Sequence, residues 1–149
     1  MKIVILENIR SAYNVGNIIC TADALWRNVR LTWYSPSPVD TPKVVKTSLG
    51  AENAVGLQQF KSTPEAILAA KKKKCRIIAA EITPDAASLD MYKKSENIAV
   101  IFGNEVDGVL ESTLKLVDDV VYIPMKGIKE SLNVGQTSAI FMWELNSRR

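Results

Sequence analysis

Short apolar runs that alternate with helix-like segments constrain the fold of this chain more than any other feature of its sequence. Each run is rich in apolar, often β-branched residues and is bounded by turn residues, which is typical of buried strands. The five predicted strands are Lys2 to Glu7, Val29 to Tyr34, Arg76 to Glu81, Ile98 to Phe102 and Val120 to Ile123. Strands that alternate with helices favour a mainly parallel sheet flanked by helices, so the α/β fold class is predicted.

Helix signals fill the segments between these strands. Ser62 or Thr63 fits a helix cap, and Pro64 fits the first turn of the helix that follows. The predicted helices cover about Val15 to Trp26, the residues from that cap to Lys73, Glu111 to Leu116, and the C-terminal segment after Ser131 or Asn133. Thr41 to Gln59 has little periodicity and is predicted as a short helix with loops.

The composition limits the classes of protein to which the chain can belong. With 149 residues, of which 47% are hydrophobic and 23% charged, it fits a soluble globular protein, and residues 1–149 are predicted to form one domain. No apolar run approaches the roughly 20 residues of a membrane span, so no membrane partner is expected. Cys20 and Cys75 lie far apart in sequence, which favours neither a zinc site nor a disulfide framework and fits a reducing cytoplasm.

Charge and the absence of histidine limit the chemistry. The formal net charge of +3 permits an RNA partner without requiring one. The chain contains no histidine, which is the commonest general base and the commonest metal ligand. Any reaction must therefore use carboxylate, guanidinium, ammonium, thiol, hydroxyl or backbone groups, and no metal site is predicted.

The C-terminal stretch joins a predicted strand to a predicted helix through a polar loop. Pro124 ends the strand because proline has no N–H for the ladder, and Gly127 permits a turn. Ser131 or Asn133 can cap the helix that follows. Four apolar residues recur in that helix at helical spacing: Ala139, Ile140, Met142 and Trp143. A loop at the carboxyl end of a strand is where open α/β sheets bind ligands, although an ordinary connection would explain this segment on its own.

Several loops are predicted to meet, because the carboxyl ends of parallel strands share one edge of the sheet. They are Asn8 to Asn17, Phe102 to Gly108 and Pro124 to Asn133, together with Glu81 to Pro84. Gly103 and Gly108 have the spacing of a phosphate loop, but Val109 and Leu110 stand where Lys and Ser or Thr are required, which excludes an ATPase. No Gly-x-Gly-x-x-Gly follows the first strand, which excludes a nicotinamide dehydrogenase. The loops fit a cleft of backbone polar groups for a small, polar, planar ligand.

Four motifs in these segments carry a resemblance to a known family. They are Asn-Ile-Arg-Ser-Ala-Tyr-Asn-Val-Gly-Asn-Ile-Ile-Cys-Thr-Ala-Asp-Ala at 8–24, Lys-Thr-Ser-Leu-Gly-Ala-Glu at 46–52, Ile-Phe-Gly-Asn-Glu-Val-Asp-Gly at 101–108 and Ile-Pro-Met-Lys-Gly-Ile-Lys-Glu-Ser-Leu-Asn-Val at 123–134. In this order they resemble the motifs of the SpoU/TrmH family, which are RNA ribose 2'-O-methyltransferases of the SPOUT superfamily. Each motif alone is a weak signal, whereas four in the family's order form a specific one.

The resemblance implies a fold, a cofactor and partners. The family fold is an α/β domain whose C-terminal segment forms a deep trefoil knot, in which S-adenosylmethionine is held. The family acts on RNA as a homodimer, with each active site near the partner's first motif. This chain is similar to the minimal members without a separate RNA-binding domain, and by that analogy tRNA is expected, with rRNA as the alternative. Dimer contacts are expected on the helix face near Ile140 and Trp143.

The same resemblance implies the residues of the site. The residues implied to hold the cofactor are Glu81, Ile82, Thr83, Phe102, Gly103, Asn104, Glu105, Gly108, Ile123, Met125, Ser131, Leu132 and Asn133. Those implied to take part in catalysis are Arg10, Asn14, Glu105, Ser131 and Asn133. Without the family match, Asn14, Ser131 and Asn133 would be explained as helix caps, and Glu105 as an acceptor within its own turn. Lys46 and Ser48 fit either contacts to RNA phosphate or a solvated loop.

One position departs from the family pattern. In the family, an arginine thought to assist removal of the hydroxyl proton follows the first-motif asparagine by six residues, and that count from Asn14 reaches Cys20. A thiol offers neither the five donors nor the permanent charge of a guanidinium group. Two hypotheses follow. Either the chain is an active methyltransferase in which Arg10 supplies the cation, or it is a slow or inactive relative that still binds S-adenosylmethionine or RNA.

Overall fold

The computed structural model describes residues 1–32, 34–37 and 40–146, which form strands and helices in alternation. The strands are β1 (Lys2–Leu6), β2 (Asn28–Thr32), β3 (Gly56–Phe60), β4 (Arg76–Ala80), β5 (Ala87–Ser88), β6 (Ile98–Phe102) and β7 (Asp119–Tyr122). The helices are α1 (Ala12–Leu25), α2 (Pro42–Ser48), α3 (Thr63–Lys72), α4 (Glu111–Leu114) and α5 (Val134–Glu144). Short 3-10 turns lie at Ala51–Asn53 and Leu89–Met91.

The strands form one sheet in the order β3-β2-β1-β6-β4-β7-β5, and every pairing between them is parallel. In the centre of the sheet, Lys2 of β1 lies opposite Ile98 of β6, and Leu6 lies opposite Phe102. The predicted α/β class with a mainly parallel sheet is confirmed. Because the strands run the same way, the loops that follow them lie along one edge.

Both faces of the sheet are covered by helices. Val4 and Leu6 belong to the core that α1 and α5 cover, whereas Ile3 and Ile5 belong to the core on the other face, which α3 covers. All five residues of β6 are buried, because a central strand in a sheet with two covered faces has no solvent side. This rigid centre positions the loops at its carboxyl edge.

Capping explains where α1 begins. The Asn14 N–H donates to Ser11 Oγ at 3.2 Å, so Ser11 is the N-cap and α1 begins at Ala12, three residues before the predicted start at Val15. Asn14 therefore lies inside the helix and does not cap it, which leaves its amide free for contacts outside α1.

Two other helix starts agree with the sequence-based expectation. Ser62 caps α3 by accepting the Glu65 N–H, and Pro64 lies in its first turn. Of the two candidates for the cap of α5, Asn133 is the one used, because its Oδ1 accepts the Gly135 N–H at 2.8 Å.

The prediction for Thr41 to Gln59 is wrong in part. This segment contains α2 as expected, but also β3, which pairs with β2 from Gly56 opposite Asn28 to Phe60 opposite Thr32. The side chains of this edge strand are exposed or only half-buried, so the apolar pattern that marks a central strand is missing. The two-residue edge strand β5 was missed for the same reason.

The end of β2 also differs from the prediction. The strand ends at Thr32 rather than Tyr34, because the Ser35 N–H donates to Thr32 O at 2.9 Å and closes a turn. Trp33, predicted to lie in this strand, and Pro38, predicted to lie just beyond it, are outside the described residues.

Two observations bear on the expected setting of the protein. Across residues 1–32, 34–37 and 40–146, no helix has the length and apolar character needed to cross a bilayer. Cys20 is half-buried, Cys75 is buried, and both are free thiols. Burial, the dominant influence, raises the pKa of the Cys75 thiol.

Candidate active site

A cavity of about 530 Å³ opens at the carboxyl edge of the sheet, where β4, β6 and β7 end. Its walls are the loops that follow these strands and the first turns of α5. Twelve of the thirteen residues predicted to hold a cofactor line it, namely Glu81, Ile82, Phe102, Gly103, Asn104, Glu105, Gly108, Ile123, Met125, Ser131, Leu132 and Asn133. Their roles in binding stay predictions, but their convergence is a property of the fold.

Thr83 is the predicted residue that does not line the cavity. Its carbonyl accepts the Ala86 N–H at 3.1 Å, so the chain turns away from the cavity directly after Ile82. Thr137 and Phe141 line the cavity but were missed by the sequence analysis. They follow Asn133 at intervals of four residues along α5, and this helical spacing would have found them.

A continuous set of hydrogen bonds joins the three motif loops beside this cavity. Glu105, in the loop after β6, accepts the Arg10 and Ser11 N–H groups at 3.0 Å each and the Asn14 Nδ2 amide at 3.1 Å. Asn14 Oδ1 in turn accepts from Asn133 Nδ2 at 3.3 Å. The first motif is thereby tied both to the loop after β6 and to the cap of α5.

The direction of these bonds is determined at both ends. A carboxylate can only accept, so the Asn14 amide must direct its NH₂ group to Glu105 and its oxygen to Asn133. The Gly135 N–H can only donate, so Asn133 must direct its oxygen to α5 and its NH₂ group to Asn14. Both asparagines are therefore held in one orientation, and Glu105 does not serve merely as an acceptor within its own turn.

Glu105 is held as a carboxylate. Its partial burial raises its pKa, but the hydrogen bonds from the Arg10 N–H, the Asn14 amide and the Ser11 N–H outweigh that effect, so the pKa lies below the ordinary value. A carboxylate that is already fully engaged is a poor proton acceptor. Its geometry suits a residue that positions the first motif.

The loop that contains Glu105 is shaped by its neighbours. Asn104 Oδ1 accepts the Val106 and Asp107 N–H groups, while its Nδ2 donates to Asn8 O at 2.7 Å. Gly103 has no room for a side chain, because a Cβ there would lie 2.2 Å from the carbonyl carbon of Gly108. Asn104 and Gly103 therefore act on the shape of the cavity as well as lining it.

Two other carboxylates bond to the residues that directly follow this loop. Glu81 Oε2 accepts the Val109 N–H at 3.1 Å, and its Oε1 accepts the Ile82 N–H at 2.8 Å. Glu7, which is buried, accepts the Leu110 N–H at 2.8 Å and the Thr113 hydroxyl. The Glu81 carboxylate is thus engaged with backbone groups although the residue lines the cavity.

The remaining candidate residues differ in their exposure and in whether their side chains have hydrogen-bond partners. Arg10 is exposed, and its guanidinium makes no hydrogen bond or ion pair to another described residue. Ser131 is exposed, and its hydroxyl likewise has no partner among residues 1–32, 34–37 and 40–146. Ser48 is fully buried and bonds to Glu52, so a contact with RNA phosphate is excluded for it, whereas Lys46 is exposed.

Within the described part of the chain, no group of three or more His, Cys, Asp or Glu side chains has the arrangement needed to hold a metal ion.

Known proteins with similar sequences indicate the family of this chain. The model of the SpoU rRNA Methylase family matches residues 1–143. The tRNA (guanosine(18)-2'-O)-methyltransferase of Thermus thermophilus is 31% identical over 147 residues, which cover 98% of this chain and 74% of that protein.

Solved structures share the fold. One, concerned with the 2-OH methylation of C/U34 on tRNA, has a TM-score of 0.85 and 27% identity, and the match covers 97% of this chain and 93% of that one. The SpoU methyltransferase AviRb from Streptomyces viridochromogenes, in complex with the cofactor AdoMet, has a TM-score of 0.85. It is 21% identical, and the match covers 97% of this chain and 58% of AviRb, so this likeness speaks for the fold alone.

Proposed function

This chain belongs to the SpoU rRNA Methylase family, and on that premise we propose that it transfers a methyl group from S-adenosylmethionine to a ribose 2'-hydroxyl of RNA. One observation carries the proposal: Glu105, Asn14 and Asn133 join three separate motif loops at the rim of one ligand-sized cavity. The named activity of the Thermus relative, a 2'-O-methylation of tRNA, supports the class of reaction.

The residues around the cavity fit S-adenosylmethionine. Phe102, Ile123 and Leu132 supply apolar walls for a flat ring, and the surrounding loops supply backbone donors and acceptors. The volume of about 530 Å³ lies within the range of about 300 to 1,000 Å³ that is common for small-molecule sites.

S-adenosylmethionine, when bound, supplies a sulfonium methyl group that is already electrophilic, so the proposed reaction requires no metal ion. The residues of the chain must place the ribose hydroxyl and assist removal of its proton. Such positioning can contribute roughly 7 to 11 kcal/mol to the lowering of a barrier. EDTA should therefore leave methyl transfer unchanged.

The geometry suggests a division of roles among the catalytic candidates. Glu105 positions the first motif, because both of its oxygens are engaged and its pKa is lowered. Arg10, whose backbone N–H donates to Glu105 and whose guanidinium bonds to no other described residue, is proposed to contact a phosphate or the 2'-oxygen. The Ser131 hydroxyl at the cavity wall is free to bond to the ribose or the cofactor, and Asn14 and Asn133 hold the two sides together.

We infer that Cys20 does not take the place of the family arginine within one chain. It lies six residues beyond Asn14 on α1, which is about 9 Å along the helix axis. It does not line the cavity, and its half-buried side chain packs against the core that α1 and α5 cover. This observation favours a second candidate function, in which the chain binds S-adenosylmethionine or RNA with little or no turnover.

A tritium-transfer assay distinguishes these two functions. Wild type, Cys20→Arg and Arg10→Ala would be incubated with methyl-labelled S-adenosylmethionine and either bulk tRNA or bulk rRNA. We expect wild type to label RNA and Arg10→Ala to lose at least about tenfold in kcat/KM, equivalent to one charge-assisted contact. Labelling by Cys20→Arg but not by wild type would establish the binding-only function. Absence of labelling by both, with no S-adenosylmethionine binding by calorimetry, would refute the proposal.

We propose tRNA as the substrate, with rRNA as the alternative. The support is the tRNA methylation named for the Thermus relative and for the structure whose chain the match covers to 93%. The description of the family as rRNA methylases supports the alternative. The labelling ratio between bulk tRNA and rRNA decides between them, and mapping of ribose methylation in cells with and without the gene would identify the nucleotide.

We also propose that the protein acts as a homodimer. Trp143 is 73% exposed and Ile140 is 40% exposed on α5, beside a shallow, mainly apolar hollow of about 400 Å³. Met91, at the edge of the same region, is also exposed. Apolar surface of this kind is costly in water unless a partner covers it.

Light scattering after gel filtration tests the dimer. Wild type should elute with the mass of two chains, and Trp143→Glu should shift it toward the mass of one chain on dilution. Leu68→Glu, on the exposed side of α3, is the matched control and should leave the mass unchanged. A stable monomer of the wild type on dilution would contradict the proposal.

Three further expectations remain proposals. We propose that the segment after β7 forms a trefoil knot. This segment leads into α5, which packs beside the end of α1, where the Trp26 indole donates to Met142 O at 3.0 Å. A crystal structure that traces residues 76–146 would test the threading.

We propose that residues 1–149 act as one SpoU-type domain, supported by their single sheet. We also propose that the protein is cytoplasmic, supported by its free thiols and its proposed RNA substrate.

A further inference from the structure

We propose that Tyr34 and Arg10 form a site for unpaired RNA nucleotides beside the cofactor cavity, in which Tyr34 stacks on a base and Arg10 pairs with an adjoining phosphate. The inference deepens the proposed function and rests on it, since RNA is the substrate there. It identifies the class of RNA as one with exposed, unpaired bases.

The carboxyl edge of the sheet has two halves. The cavity occupies the half beyond β4, β6 and β7, whereas the loops after β1 and β2 form the other half and do not line it. The two halves touch directly, because Glu105 beside the cavity accepts the Arg10 N–H at 3.0 Å. A nucleotide that presents its ribose to the cavity needs an adjoining surface for its base or its neighbours. The loop after β1 borders the cavity, and the turn after β2 is bonded to that loop.

Tyr34 is presented on a well-supported turn. The Ser35 N–H donates to Thr32 O at 2.9 Å, and Ser35 Oγ accepts the Ile9 N–H at 3.0 Å. Thr32 Oγ1 accepts the Asn8 N–H at 3.0 Å, so both buried hydroxyls tie this turn to the loop after β1. Tyr34 itself is 76% exposed. An exposed aromatic ring on a turn held in this way is suited to stacking on a base.

The electrostatics favour an anionic partner. Arg10 is the single charged residue in the sequence 8–21, and the sequence 32–37 has none. The acid that touches the first loop, Glu105, is engaged by backbone and amide donors and not by the Arg10 side chain. The guanidinium is therefore free for an external phosphate. An apolar protein partner would match these polar, cationic surroundings poorly.

The geometry selects unpaired nucleotides. In an RNA duplex the faces of the bases are covered by their neighbours, and a protein ring cannot stack on them. An exposed ring beside a free cation fits a base that has left the stack together with its phosphate. Loops and bulges of a folded RNA offer such bases.

Fluorescence anisotropy tests the site with two labelled probes, a hairpin RNA with an unpaired loop and a duplex with the sequence of its stem. Tyr34→Ala should weaken hairpin binding by about 5- to 150-fold, the effect of removing one base–aromatic stack, and leave duplex binding unchanged. Tyr34→Phe keeps the ring and should stay within about twofold of wild type. Arg10→Ala should lower the salt dependence of hairpin binding by about 0.7 in the log–log slope for each phosphate that the arginine neutralises in wild type.

Matched controls separate the site from other effects. Leu68→Ala removes exposed apolar surface from α3, outside this edge, and should leave hairpin binding unchanged. S-adenosylmethionine affinity, measured by calorimetry, should be equal in wild type and Tyr34→Ala, since Tyr34 does not line the cavity. Light scattering should give the same mass for both.

The outcomes distinguish this inference from the proposed function. If wild type methylates RNA but Tyr34→Ala binds the hairpin as tightly as wild type, the inference is refuted and the function stands. If Tyr34→Ala changes the oligomeric mass, Tyr34 belongs to a protein interface and the inference is refuted. If hairpin binding depends on Tyr34 but no RNA is methylated, the site stands and the function fails. If wild type binds no hairpin, the inference is refuted, and the labelling assay alone decides the proposed function.

Discussion

Glu105→Gln removes the charge that ties the first motif to the loop after β6 while keeping the size of the side chain. The wild-type carboxylate accepts three hydrogen bonds, from the Arg10 and Ser11 N–H groups and from the Asn14 amide. A glutamine amide has one oxygen, so its NH₂ group must face at least one of these donors. A hydrogen bond to a charged group contributes about 1.5 to 3 kcal/mol, and the partial exposure of Glu105 favours the lower end of that range for the loss in free energy of unfolding.

Acid should remove the difference between the two proteins. Burial raises the pKa of Glu105, but the hydrogen bonds from Arg10, Asn14 and Ser11 outweigh it, and the pKa in the folded state lies below its ordinary value. Such a carboxylate stabilises the fold fully above the pKa of the unfolded chain, and this stabilisation is lost as the pH falls through the folded-state pKa. The gap between wild type and Glu105→Gln should therefore be constant near neutral pH and shrink below about pH 4.

Urea unfolding, followed by circular dichroism at one protein concentration, measures this gap at neutral and acid pH. Glu111→Gln is the control, because the Glu111 carboxylate makes no hydrogen bond to another described residue, and its effect should stay within about 0.5 kcal/mol. Equal stability of Glu105→Gln and wild type at pH 7, or a gap that does not change with pH, would show that the charge of Glu105 does not hold the first motif.

Two further substitutions test the shape and the polarity of the site. Gly103→Ala should lower the free energy of unfolding by about 1 to 3 kcal/mol in urea titrations and weaken S-adenosylmethionine binding, because its Cβ would lie 2.2 Å from the carbonyl carbon of Gly108. Gly127→Ala is the control and should have neither effect, because a Cβ at Gly127 meets nothing within 4 Å. Asn133→Asp keeps the acceptor that caps α5 but cannot donate to Asn14, so methyl transfer should fall while stability is largely kept. Asn133→Ala removes the cap as well and should also lower the free energy of unfolding by about 1 kcal/mol. Equal activity of Asn133→Asp and wild type would argue against a role for the link between the asparagines.

The strands that the sequence predicted are those whose own residues carry the signal. β6 is buried at every position, and a continuous apolar run of that length has few other places in a soluble protein. β3 was missed because its place at the edge of the sheet demands no apolar face, and Gln58 and Gln59 are exposed there. Its pairing with β2 depends on backbone bonds to a strand elsewhere in the chain, which no local pattern records.

The candidate site also has features that the sequence predicted and features that it did not. The identity of the loops followed from their motifs, and their approach to one edge followed from the parallel order of the strands. The engagement of Glu105 by Arg10 and Ser11 did not follow, because the partners are 95 and 94 positions apart. The same is true of Asn14 and Asn133, which are 119 positions apart.

By itself the sequence determined the α/β class, the family and the loops that border the cavity, because apolar periodicity, turn residues and motifs are local properties of the chain. The tertiary structure alone decided that Glu105 is a bound carboxylate rather than a free base, that Thr83 turns away from the cavity, and that Cys20 lies outside it. These outcomes depend on which distant groups come within hydrogen-bond distance once the sheet is assembled, and spacing along the chain does not specify that.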